Sequence, residues 1–184
     1  MPINNVKQGT NVTITQPDLV DLNGCTIGDE TRIEPFVAIA PGSDIGARCQ
    51  ISAHAYICEG VTIEDDVFLG NGVIFTRTLY PRAQNFNALP AADEAPVAAT
   101  LIKRGAAIGS NATIVAGIVV GAGALVGAGS VVTRNVPDRC LVAGVPARVI
   151  GYVSLRQKRR EALLQARTVL VDSVKRKPKA SRHH

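Results

Sequence analysis

The sequence predicts an all-β fold, a parallel β-helix wound from six-residue turns and closed by a C-terminal α-helix, on three observations. First, every sixth residue from Ile27 is large and apolar. The series runs Ile27, Ile33, Ile39, Ile45, Ile51, Ile57, Ile63, Leu69 and Phe75, then resumes as Ile102, Ile108, Ile114, Val120, Val126 and Val132. Second, the residue four places after these is small or apolar: Thr31, Val37, Ser43, Cys49, Ala55, Val61, Val67 and Val73, then Ala106, Ala112, Ile118, Ala124, Ser130 and Val136. Third, hydrophobic residues make up 46% of the 184 but aromatics only 4%, with no Trp and 17 glycines. A core of small aliphatics fits a narrow, repetitive interior, whereas a globular core usually spends large aromatics on filling volume.

Each hexad supplies one short strand and one bend, with the large residue and the small one pointing inward. Three hexads close a triangular coil, and stacked coils form parallel sheets along a prism. A period of six matches no helix face. Its strictness favours the equilateral, left-handed form over a right-handed β-helix, which tolerates coils of unequal length. The β-helix is expected over residues 1–151. It is interrupted at 77–101, where Pro81, Pro90 and Pro96 break the pattern; a stretch of that length without regular structure is often functional. From 152 to 174, Leu155, Ala162, Leu163, Ala166, Leu170 and Val174 recur at helical intervals, as expected of an amphipathic helix folded over the end of the prism. Residues 175–184 read as a basic, disordered tail, and His183 and His184 are given no role.

The net charge of +5 belongs to that end of the chain. From Ser154 onward ten Lys/Arg face only Glu161 and Asp172, so this part carries +8 and the remainder −3. A mildly acidic body argues against nucleic acid as a partner, which needs its basic footprint on the folded surface. No apolar run is long enough to span a bilayer. The residues from Met1 to Asn5 have neither the basic nor the apolar region of a secretory leader, and Cys25, Cys49, Cys58 and Cys140 form no CxxC pair, so a cytoplasmic protein with reduced thiols is expected. One body histidine, His54, and no Cys-His cluster exclude a three-histidine zinc site; no metal is expected.

The segments Ile63 to Gly70, Val73-Ile74-Phe75-Thr76 and Tyr80-Pro81-Arg82-Ala83 resemble the N-acetyltransferases that act on nucleotide-linked 3-amino sugars. So do Arg104 to Gly109 and the ending Val145-Pro146-Ala147-Arg148-Val149-Ile150-Gly151. The likeness covers roughly residues 24–153; its hexads are common to all left-handed β-helices, while Phe-Thr…Tyr-Pro-Arg-Ala and Val-Pro-Ala-Arg are more specific. It implies the left hand of the coil and a homotrimer with active sites between neighbouring prisms. It also implies acetyl-CoA as cosubstrate in the inter-subunit groove, and a nucleotide sugar held partly by the irregular segment.

Ser110, Ala116, Ala122 and Ala128 hold the same place in four successive hexads. They are expected to form a smooth column for the pantetheine arm, with backbone amides available to it; tight corners alone also favour such small residues. Arg134 and Arg148 are candidate donors to CoA phosphates, and Pro146 belongs to the same cofactor ending. His54 is the general-base candidate of the body, although a lone surface or interface histidine without catalytic duty is the slightly favoured reading. Arg77 stands where the resembled family commonly has Asn, and Asn71 where it often has His or Pro. An Arg cannot accept the amine's proton but can grip a carboxylate or phosphate, and Asn71 can orient the amine by donating and accepting. Thr76, Tyr80 and Arg82 are candidate acceptor contacts, Arg82 through a phosphate or carboxylate. An acetyltransferase of the serine or xenobiotic type and a β-helix that has lost catalysis and serves as a scaffold stay open as alternatives.

Overall fold

The structure is a computed structural model that describes residues 3–79 and 98–153. Its strands stack into three sheets of seven, six and eight strands, in which each strand pairs with the one three positions away in sequence, except for the last two strands of the third sheet. The first face contains Ala38–Ile39, Tyr56–Ile57, Ile74–Phe75, Thr113–Ile114 and Val131–Val132. The second contains Asp44–Ile45, Val61–Ile63, Thr100–Ile102 and Val119–Val120, and the third Gln50–Ile51, Phe68–Leu69, Ala107–Ile108 and Leu125–Val126. Pairing is parallel and in register, for instance Ile57 with Ile39 and Leu69 with Ile51. This is the three-faced β-helix that the period of six predicts.

All fifteen large residues of the series are buried, from Ile33 at 0% to Ile45 at 3% exposure, so the inward assignment holds throughout. Each such side chain contributes roughly 1.5–3 kcal/mol on burial. The small inward positions are buried as well, and their hydroxyls are satisfied. Thr31 Oγ1 donates to Gly46 O at 2.8 Å and accepts Cys49 N–H at 3.0 Å, while Ser43 Oγ donates to Cys58 O at 2.9 Å. Phe75 is the largest side chain in the core.

The turns follow one rule. The third residue after each inward aliphatic has positive φ: Glu30, Phe36, Gly42, Arg48, His54, Gly60, Asp66 and Gly72, then Gly105, Asn111, Gly117, Gly123 and Gly129. Left-handed backbone explains the Gly and Asn at many of these sites. Thr78 and Asn135 hold the same position and do not have positive φ, and these are the two places where the coil is left. A β-branched residue resists that conformation, so Thr78 is a local cause of the interruption.

Two boundaries differ from the sequence reading. Ahead of the first repeat residue, Ile27, the coil already includes Ile3–Asn4 paired to Asp21–Asn23, with Lys7–Gln8 and Thr13–Ile14 completing a first turn. Its spacing is not six because the short helix Pro17–Leu19 is inserted. The strand Thr100–Ile102 starts inside the stretch expected to be irregular. At the other end Cys140–Gly144 and Ala147–Tyr152 form an antiparallel hairpin on the third face, so Tyr152 ends a strand where a helix was expected. Val153 is helical, and residues 154–174 of that helix and the basic tail lie outside the described residues, as do Tyr80 and Arg82.

Candidate active site on the third edge

Three faces make three edges, and a column of equivalent residues on one edge recurs every third hexad. The first edge, from first face to second, carries Glu59-Gly60, Arg77-Thr78, Ala116-Gly117 and Arg134-Asn135. The second carries Asp29-Glu30, Ala47-Arg48, Asp65-Asp66, Arg104-Gly105 and Ala122-Gly123. The third, leading back to the first face, carries Pro35-Phe36, Ala53-His54, Asn71-Gly72, Ser110-Asn111 and Ala128-Gly129.

This arrangement corrects the expected cofactor column. Ser110 and Ala128 share the third edge, but Ala116 lies on the first and Ala122 on the second, because successive hexads turn the corner. The amides divide in the same way. Ala116 N–H donates to Thr76 Oγ1 at 3.0 Å and Ala122 N–H to Asp138 Oδ1 at 2.8 Å. Among the described residues the amides of Asn71, Ser110 and Ala128 meet no acceptor. They follow one another at about 4.8 Å per coil, so the column spans roughly 10 Å. Next along this edge comes the Gly144-Val145-Pro146-Ala147 turn, tied down by Gly144 N–H donating to Ser130 Oγ at 3.2 Å. The third edge thus carries five of the expected site residues in order: His54, Asn71, Ser110, Ala128 and Pro146.

Glycines keep that edge flat. A Cβ on Gly70 would stand 2.6 Å from Ser110 N, and one on Gly109 2.5 Å from Ala128 N. Beyond Asn71 the edge ends in two rings, since the His54 imidazole stacks on Phe36 with centroids 4.8 Å apart. Phe36 is a site residue that the sequence reading missed; the available signal was a large aromatic at a turn position that favours Gly or Asn. Asn111, beside Ser110, was also missed, and its carboxamide lies where a Cβ of Gly72 would be.

Other expected residues lie elsewhere. Thr76 and Arg77 are on the first edge, across the first face from His54 and Asn71, so one chain does not join the proposed catalytic residues His54, Asn71 and Arg77. Arg77 Nη2 meets Glu59 Oε2 at 3.3 Å, one coil back at the same turn position. Arg134 and Arg148 line a cavity of about 180 Å3 at the C-terminal end of the prism, with Val132, Val136, Val142 and Val149. Burial raises the thiols of Cys25, Cys49 and Cys58 above their usual range, which removes them as nucleophiles. Among the described residues no group of three His, Cys, Asp or Glu could hold a metal, and no helix is long and apolar enough to cross a membrane.

Comparison with known proteins agrees with this architecture. Residues 24–59 match the bacterial transferase hexapeptide (six repeats), and residues 44–77 and 102–134 the hexapeptide repeat of succinyl-transferase. A dTDP-3-amino-3,6-dideoxy-alpha-D-galactopyranose 3-N-acetyltransferase from Aneurinibacillus thermoaerophilus is 46% identical over 54 residues, 29% of this chain and 28% of that protein. A serine acetyltransferase from Buchnera aphidicola subsp. Acyrthosiphon pisum is 37% identical over 134 residues, 69% of this chain and 44% of that one. The chain therefore spans less than half the length of these curated relatives. A hexapeptide-repeat acetyltransferase from Vibrio cholerae O1 biovar eltor, solved with acetyl-coenzyme A, superposes with a TM-score of 0.58 at 27% identity over 71% of each chain. By its repeats, its three-faced prism and these relatives, the chain belongs to the hexapeptide-repeat acyltransferase family.

Proposed function

We propose that the protein transfers an acetyl group from acetyl-CoA to an amine of a nucleotide-linked amino sugar. The observation that carries this reading is the column of unengaged amides at Asn71, Ser110 and Ala128. An extended pantetheine arm carries amide carbonyls that such a column can receive, and the glycines beside it admit the arm closely. Arg148, just beyond the Pro146 turn, and Arg134 supply guanidinium groups for the CoA phosphates. No metal takes part in this scheme.

The acceptor nitrogen attacks the thioester carbonyl at the far end of the arm, beside Asn71 and His54. The C–N bond forms as the C–S bond breaks; one proton leaves the nitrogen and one ends on the CoA sulfur. His54 is placed to take the first proton, and Asn71 to orient the amine. Thr76, Arg77, Tyr80 and Arg82 serve the acceptor from a neighbouring subunit, since the first edge of the same chain faces away. That requirement, together with the exposed Tyr56 and Ile74 on the first face and Phe68 and Leu125 on the third, supports a homotrimer. We place the reaction in the cytoplasm, where buried thiols stay reduced.

Calorimetric titration with acetyl-CoA tests the reading, and no heat at millimolar ligand would sink it. Sedimentation should give three times the 19.3 kDa chain mass. The longer alignment to a serine acetyltransferase favours serine as the second acceptor class. Thiol release with serine but with no amino sugar would establish that alternative.

A further inference from the structure

The first edge is nearly neutral. Among the described residues of its turns the ionisable groups that reach solvent are Glu59, Arg77 and Arg134. Glu59 and Arg77 stand two residues after the inward Ile57 and Phe75, one coil apart, with 48% and 42% of their side chains exposed. Their pair stands where the irregular segment leaves the coil, next to Thr76, which is pinned by Ala116 N–H.

The pair differs from the ion network on the second edge. There Arg48 reaches both Asp65 and Asp66, at 3.4 and 2.7 Å, and Arg104 adds a contact to Asp65 at 3.1 Å. Those groups clamp three coils together. An exposed ion pair adds little to stability, and the coils at Glu59 and Arg77 are already held by backbone bonds such as Thr76 N–H to Ile114 O and Thr100 N–H to Gly60 O.

An amino sugar linked to a nucleoside diphosphate carries the same two charges with the opposite placement: an ammonium and a phosphate. We infer that Glu59 and Arg77 form a charge clamp for the acceptor, Glu59 receiving its ammonium and Arg77 an oxygen of its phosphate. The inference rests on the acceptor class proposed above and names a residue, Glu59, outside the expected set. Exchanging the Glu59–Arg77 contact for two intermolecular ones leaves both of these groups facing an opposite charge. A guanidinium also matches phosphate geometry better than an ammonium does. Glu59 is a binding residue here; the amine loses its proton after it has been captured. The substrate class follows: amines that carry an anionic group are preferred over neutral amines, and over alcohols most of all.

The test is steady-state thiol release with a nucleoside-diphosphate-linked amino sugar and with the same amino sugar unlinked. Glu59→Gln should raise KM about tenfold or more for both acceptors, and Arg77→Gln only for the linked one, with KM for acetyl-CoA unchanged. The double exchange Glu59→Arg with Arg77→Glu remakes the ion pair with its ends reversed. A clamp keeps the raised KM in that variant, whereas a structural brace returns to wild-type values, which would overturn the inference. So would unchanged acceptor KM in both single variants. Failure of the wild type to bind acetyl-CoA would instead remove the proposed function itself, and the clamp with it.

Discussion

The ring of Phe36 lies against the imidazole of His54, centroids 4.8 Å apart and planes 11° from parallel. Both residues occupy left-handed turn positions, at φ 62° and 63°, where a bulky side chain is strained. Phe36 is 49% exposed, so core burial does not account for it. The stack fixes the plane of the imidazole at the thiol end of the proposed groove. Phe36→Ala should lower kcat by about two- to tenfold and leave the acetyl-CoA KM unchanged; Phe36→Tyr should restore it. An unchanged kcat would mean that the imidazole's plane does not matter to turnover.

Bulk on the third edge should block the cofactor, and the same bulk elsewhere should not. Ser110→Val and Ala128→Val are expected to raise the Kd for acetyl-CoA about tenfold or more, because the branched side chain stands over the column of amides. Ala122→Val, on the second edge, should leave it unchanged. Calorimetry on the three variants decides, and equal losses at all three would place the cofactor elsewhere.

The glycines of this edge are required for two different reasons. A methyl group at Gly109 would collide with the backbone at Ala128, so Gly109→Ala should cost roughly 1–3 kcal/mol and loosen acetyl-CoA binding as well. Gly129 has open space around it but a φ of +67°. There Gly129→Asn should be tolerated better than Gly129→Ala, since Asn enters the left-handed region more readily. Urea unfolding of the three variants gives the order.

The Arg48 network contributes a pH-dependent component to stability. Hydrogen bonds from Arg48 hold the Asp66 carboxyl below its usual range. A carboxylate with a lowered folded-state pKa contributes its stability above the unfolded value, and that contribution is lost as the pH falls through the folded one. Thermal unfolding of Arg48→Ala should therefore differ from wild type near neutrality, and the difference should shrink below about pH 4. A gap that widened on acidification would contradict this assignment.

The sequence displayed the six-residue period openly because burial acts on each hexad alike. The residues from Ile27 to Phe75 and from Ile102 to Val132 had only one way to point. The edges were less legible. Ser110, Ala116, Ala122 and Ala128 look equivalent in the chain, yet only residues three hexads apart stack, so Ser110 and Ala128 belong together and the other two do not. The first coil was hidden by its inserted turn at Pro17–Leu19 and by Gln8, which stands in register with Ile27 at an exposed end where no further coil demands an apolar side chain. Glu59 stands three hexads before Arg77, so their pairing becomes legible once corners are counted in threes.

The two threonines at the interruption have a wider consequence. Thr76 Oγ1 accepts Ala116 N–H and Thr100 Oγ1 accepts Gly117 N–H, each at 3.0 Å. Both ends of the insertion are thus fastened to adjacent peptides of a single corner below it. The span between them can lengthen, shorten or change composition while the prism keeps its register, because loop length itself costs little free energy. The corner therefore works as a socket. Segments of other acyltransferases could be fitted there to alter acceptor choice, with Thr76 and Thr100 left in place as the two contacts of the plug.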